Sequence, residues 1–209
     1  MHVLTDAYAL GIAQGTGLTR HAHELLEVHK ALGYRRALFF GAPVPRVVRA
    51  LRPSVVFQSV FAEEQQRLLD TPLTQLSAIA GRVARQGLGA LLPHAARMHE
   101  LKADPAVFFS DTSIDIESFD LFNSGGLFRA AFAWAALSGR NLSTNFPAGL
   151  ARPDLIHCTS PVPVRLRGIP RVTTVHDLIP ITLPQSTRIP LHSYYRIMRA
   201  SLRHCMLRL

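Results

Sequence analysis

The segment "PDLIHCTSPVPVRLRGIPRVTTVHDLIPITLP", residues 153–184, constrains the fold more than any other part of the chain. "DLIHCTS" is apolar as far as His157 and then turns small and polar. "RVTTVHDLIP" follows the same course, carrying His176 and Asp177 to a strand end before a proline-marked turn. Such runs read as two buried, parallel strands. In open α/β sheets, ligands collect outside the carboxyl ends of the strands, which makes a His-Asp pair there a candidate site.

The amino terminus supports the same architecture. "HVLTD" suits a short first strand, "GIAQGTG" a glycine-bearing loop, and "ALFFG" a second buried strand. Between them Leu18, Ala22, Leu25, Leu26 and Leu32 recur at helical spacing and predict one apolar helix face. Gly33 stands where a helix C-terminus wants a left-handed residue, and His29 and Lys30 are placed to meet the carbonyl end of the helix dipole. Strand, glycine loop, helix, strand is a βαβ opening with an expected right-handed crossover. The fold class expected is therefore α/β: a doubly wound, mostly parallel, Rossmann-like sheet.

Residues 42–150 are less legible. "RVVRALRPSVVFQSVF" suits a strand and a helix. The run from Ala62 to Pro93 looks mainly helical, "AVFFSDTSIDIESFDLFNSGG" mixes a strand with turn signals, and "LFRAAFAWAALSG" is a strongly apolar helix. At the end, Pro190 opens a helix. Its predicted apolar stripe is Leu191, Tyr194, Tyr195, Met198, Leu202 and Cys205, with Arg196, Arg199 and Arg203 on a solvated opposite side.

The chain's 209 residues suffice for one large domain, and a formal charge of +9, carried almost wholly by arginine, favours acidic ligands or an anionic surface. Cys158 and Cys205 form no CxxC or dense pattern, the start lacks a signal peptide's basic and apolar regions, and no run approaches the ~20 apolar residues of a membrane span. A cytoplasmic protein is expected, with peripheral contact at the inner face of a plasma membrane left open. No HExxH or Cys/His cluster suggests a metal, so none is expected, and no recognisable module suggests nucleic acid. His21 and His23 lie two apart on the first helix and do not share a face.

Gly15, Thr16 and Gly17 precede a helix amino terminus, where free amides and the dipole favour an anion. They supply only the first two glycines of the dinucleotide fingerprint, because Arg20 holds the third position, and no GK[ST] follows. On local grounds a tight turn needing glycine is favoured over an anion site.

Together these pieces resemble the amino-terminal half of a family 4, group 1 glycosyltransferase of the GT-B fold. "YALGIAQGTGLTRHAHELLEVHKALGYRRALFFG" (8–41) is similar to that family's opening strand, glycine loop and first helix. "RPDLIHCTSPVPVRLRGIPRVTTVHDLIPITLPQ" (152–185) is similar to its histidine and HDLxP segment. "YYRIMRASLRHC" resembles the helix leading toward the second domain. The match covers the two ends, about half the chain. The resemblance implies a retaining transferase using a nucleotide-diphosphate sugar, GDP-mannose being one candidate, on a glycan or lipid-linked acceptor. Gly15, Thr16 and Gly17 would approach the donor diphosphate, His176 would sit beside the transferred sugar, and Asp177 would orient the loop or that histidine. No cofactor is implied, since the nucleotide-sugar is a substrate.

The family often has an aromatic residue where His21 stands and an arginine where His23 stands. Its donor-site motif, two glutamates eight positions apart after a basic residue, has no counterpart here, and no acidic residue follows Asp177. Residues 1–209 are accordingly expected to be an acceptor-side domain, inactive alone: a fragment of a longer enzyme, a split product whose donor side comes from a separate C-terminal domain or partner, or a degenerate remnant; a homo-oligomer is a further option. Two other classes remain open: a non-catalytic glycan- or partner-binding module, and another Rossmann-type nucleotide enzyme such as a sugar-nucleotide epimerase.

Overall fold

Every second residue of "RRALFF" serves a different face, and both faces are buried. In the computed structural model, which describes residues 1–11, 17–41, 98–101, 118–187, 190–205 and 207–208, this run is strand β2 (Arg35–Phe40). Ala37 and Phe39 join one apolar cluster and Leu38 and Phe40 another. A strand buried on both sides belongs in the interior of a parallel sheet. β1 (His2–Asp6) lies beside it, buried along its whole length, with Val3 opposite Arg36 and Asp6 opposite Phe39.

Helix α1 (Gly17–Ala31) connects these strands. Ala22, Leu26 and His29 form its buried stripe, whereas Leu32, expected on that face, is exposed at 57%. His29 corrects a second expectation. It lies in the last turn, but burial, then Arg36, lower its pKa, so it is a neutral core group and not a cation against the dipole. Gly33 ends the helix as expected, at φ +67°, its amide donating to Lys30 O while that of Tyr34 reaches His29 O.

The remaining elements are β3 (His99–Leu101), β4 (Asp120–Asn123), α2 (Leu127–Ser138), β5 (Leu142–Thr144), β6 (Leu155–Cys158), β7 (Val164–Leu166), β8 (Arg171–Thr173), α3 (Ile179–Thr182), α4 (Leu191–Leu202) and β9 (Leu207–Arg208). Among the described residues, seven strands form one sheet in the order β3-β4-β2-β1-β6-β8-β9. All its pairs are parallel except the β3–β4 edge. β5 and β7 form a separate parallel pair. The protein is thus α/β with a mostly parallel sheet.

Helices cover both faces. Ala22 and Leu26 of α1 pack with Leu38, Phe40 and Leu121. Leu127, Phe128 and Ala131 of α2 pack on the other face with Leu4, Phe39, Phe122 and Ile156. Gly41 permits this second contact: a Cβ there would lie 2.6–2.8 Å from the ring and backbone nitrogen of Phe128.

From β1 the chain builds outward first to β2 and β4, then returns to β6, β8 and β9. Neighbouring connections therefore diverge between β1 and β6, the topological switch point outside whose carboxyl ends open α/β sheets form their ligand crevice. The expected strand pair near the carboxyl end is present as β6 and β8, with Cys158 opposite Thr173. β8 stops at Thr173, so His176 and Asp177 lie on the following loop and not on the strand. Parallel pairing to Cys158 ends there, though Thr174 N still donates to Cys158 O.

Helix α4 begins one residue after Pro190, which is its N-cap. Its buried side is Met198, Ala200 and Ser201, while Leu191 and Tyr195 of the expected stripe are exposed at 43% and 52%. Nor is Arg196 simply solvated. Its guanidinium donates to the carbonyls of Ala136 and Leu137 at 3.1 and 2.9 Å, closing the carboxyl end of α2. The α4 surface is thus set by docking on α2 rather than by hydrophobic spacing. The expected elements in 42–97 and 102–117 fall outside the described residues.

Candidate functional site at the crevice

Asp6 ends β1 as a wholly buried carboxylate at 0% exposure. One oxygen, Oδ1, accepts from Tyr8 N at 3.1 Å. The other, Oδ2, accepts from the backbone N–H of Thr159 and from its Oγ1 at 3.0 Å. Thr159 immediately follows β6 and is also at 0% exposure. These bonds join the two strand ends at the point where the connections diverge. Burial pushes the Asp6 carboxyl up to about 6, against the opposing pull of the Thr159 and Tyr8 hydrogen bonds and of Arg171. Tyr8 is pushed up to about 12 by its burial and by Asp6.

His176 reaches this pair from the loop after β8. Its Nε2 lies 2.7 Å from Thr159 O, and its ring packs edge-on against His21 with centroids 4.9 Å apart. His21 stands in the first turns of α1, so that helix, the β6 end and the β8 loop converge. Desolvation, then His176, lower the His21 pKa, with Glu24 opposing. His21 Nε2 and Ser160 Oγ have no hydrogen-bond partner among the described residues. Buried polar atoms left this way are available to a ligand or to water.

Of the residues expected at the site, His176 lies in the crevice region, exposed on one side. Gly17 begins α1, four residues before His21. Gly15 and Thr16 lie outside the described residues. Asp177 turns away: its Oδ1 accepts from Ile179 N at 3.1 Å, and its carbonyl accepts from the Tyr194 hydroxyl at 3.3 Å. It therefore shapes the start of α3 and does not touch His176 through a hydrogen bond. Beyond it Leu178, Ile179 and Ile181 at α3, Leu183 just after it, and Leu191 and Tyr195 of α4 are exposed apolar side chains.

Asp6 and Thr159 were not singled out by sequence, and His21 was weighed only as a metal partner of His23 and as a departure from the family's aromatic residue. A further pair lies deeper under α1, where His157 of β6 meets His29 with centroids 5.5 Å apart. Desolvation, then His29 and His21, lower His157 to about 4. Cys158, on the opposite face of β6, is pushed up to about 12 by burial, which disfavours a thiolate nucleophile. Among the described residues no group of three His, Cys, Asp or Glu could hold a metal, and no helix is long and apolar enough to cross a membrane. A cleft of about 480 Å³ lies at the other end of the sheet, lined by Arg165, Gly168, Arg171 and His204 among others. Arg171 there is spent on Val164 O, Ser201 O and Thr173 Oγ1, so the better-built polar constellation is at the crevice.

No family model, curated protein or solved structure matches the chain.

Proposed function

We propose that residues 1–209 form the Rossmann-like, acceptor-side lobe of a retaining GT-B glycosyltransferase that uses a nucleotide-diphosphate sugar. The single observation that carries this reading is the seating of His176 on Thr159 O against His21, at the carboxyl ends of β1 and β6. A sugar-transfer site needs hydrogen-bonding groups at the sugar and cationic or amide groups at the leaving diphosphate. In this reading His176, His21 and Ser160 serve the former and the free amides of the first turn of α1 the latter. The strand order supports a Rossmann-like frame. In this reading a second lobe carries the donor-binding motif and meets the exposed apolar residues Leu178, Ile179, Ile181, Leu183, Leu191 and Tyr195. The donor, with GDP-mannose as one candidate, and a glycan or lipid-linked acceptor at the cytoplasmic membrane face follow from the resemblance.

The dinucleotide-enzyme alternative is less well supported. Arg20, in place of the third glycine, is exposed and paired with Glu24 at 2.8 Å, so the close helix approach that glycine serves is absent. The test is a transfer assay on the protein together with its donor lobe, using a panel of nucleotide-sugars. His176→Ala should lower transfer by about 10²–10³-fold, the range for loss of one preorganised polar group. Glycan binding without transfer, undiminished by His176→Ala, would replace the enzyme reading with a binding module.

A further inference from the structure

The Thr159 carbonyl can only accept a hydrogen bond, so the 2.7 Å contact requires hydrogen on His176 Nε2. No described group bonds to Nδ1. In the neutral imidazole Nδ1 is then a lone-pair acceptor, suited to a ligand hydroxyl rather than to a phosphate oxygen. What aims the Thr159 carbonyl is Asp6. It grips the same residue through both the backbone N–H and the hydroxyl, and it is itself fixed by Tyr8 N.

We propose that Asp6 is a positioning residue: acting through Thr159, it holds His176 with hydrogen on Nε2 and presents Nδ1 to the ligand. This deepens the reading of His176 as the ligand-contacting group and rests on it for its functional meaning. The arrangement resembles the second support of a metal- or substrate-binding histidine, where the bond at one nitrogen sets the role of the other. Here the support is relayed through residue Thr159, held by its N–H and hydroxyl on one side and offering its carbonyl on the other, because Asp6 is buried and His176 is exposed. Both Asp6 oxygens face backbone N–H donors, so an amide cannot substitute: in either orientation its NH₂ group confronts one of them.

The test reads the imidazole N–H signals of the ¹⁵N-labelled chain by NMR and needs no transfer activity. In the wild type, His176 Nε2–H should exchange with water at least about tenfold more slowly than the N–H of exposed His192. Ring-to-ring proton contacts between His21 and His176 should also be visible. Asp6→Asn should remove both signatures while leaving the amide spectrum of β2 and α2 in place. Should Asp6→Asn not fold, Thr159→Val, which removes the hydroxyl and keeps the shape, should weaken the same signals, and Thr159→Ser should restore them. An unprotected His176 Nε2–H in the wild type overturns the proposal, as does protection unchanged in the folded variants. A negative transfer assay with these signals intact would defeat the glycosyltransferase reading alone.

Discussion

Replacing His157 by leucine should make the protein tolerate acid better, even though the imidazole lies in its core. His157 is 9% exposed, and its Nε2 finds no partner among the described residues. Burial with His29 and His21 beside it holds the ring at about 4, whereas an unfolded histidine titrates near 6.5. Arg36 adds to the positive field through His29. Between these values the unfolded chain binds a proton that the folded chain refuses, so stability falls as pH drops from ~6.5 to ~4. At about 1.4 kcal/mol per factor of ten, the loss is about 3 kcal/mol. Asp6 acts in the opposite sense. Its carboxyl is raised to about 6, so the folded state takes up a proton before the unfolded one, and acidification over nearly the same window returns about 3 kcal/mol. In the wild type these contributions largely offset each other, while His2, His21, His29 and His204, all lowered, add to the His157 direction. Urea unfolding followed by circular dichroism at pH 7, 5.5 and 4 measures the balance. The change with pH within each protein is compared, which removes the packing cost of the substitution. His157→Leu should lose about 3 kcal/mol less than wild type on going to pH 4, and Asp6→Asn should lose more. Equal losses in His157→Leu and wild type would refute the assignment of His157 as a buried neutral group.

Two further substitutions test the frame around the site. Gly41→Ala should lower stability by about 1–3 kcal/mol, the range for overpacking, because the new methyl meets the backbone nitrogen of Phe128 as well as its ring; thermal unfolding checks this, and an unchanged midpoint would show that α2 can back away freely. Arg196→Ala should cost about 1.5–3 kcal/mol, the worth of charge-assisted hydrogen bonds, since two carbonyls at the end of α2 lose their donor; Arg196→Lys should recover part of it.

β1, β2 and β6 were legible because burial on both faces leaves apolar runs such as "ALFF" and "DLIHC", and the end of α1 because its turn needs a residue of positive φ at Gly33; β5, β7 and β9, three residues or fewer, were too short to leave such a pattern. The site was legible only in part. His176 stood out through its position after an apolar run, yet Asp6 did not, since a carboxylate at a strand end reads as the start of a solvated turn. Only the adjacency of β1 and β6, which are separated by more than 140 residues, turns it inward onto Thr159. His21 was judged on whether it shared a helix face with His23, a question about metals. Its real neighbour, His176, comes from another element altogether. Arg196 was misjudged for the same reason, while Arg199 and Arg203 are exposed as expected: periodicity describes a helix's own surface and says nothing of the carbonyls at the end of α2 that Arg196 finds there.

Arg171 has a consequence for how this edge of the molecule comes apart. Its guanidinium, 3% exposed, reaches Val164 O on β7 and Ser201 O on α4 at 2.6 and 2.7 Å. If α4 alone were peeled off, a buried cation would keep its bonds to Val164 O and Thr173 Oγ1 but lose that to Ser201 O, in surroundings too poor in water to replace it. Partial detachment is therefore worse than either extreme. The carboxyl-terminal helix, the short β5–β7 ribbon and the far end of the sheet should accordingly open together, like a hinged panel with a single latch.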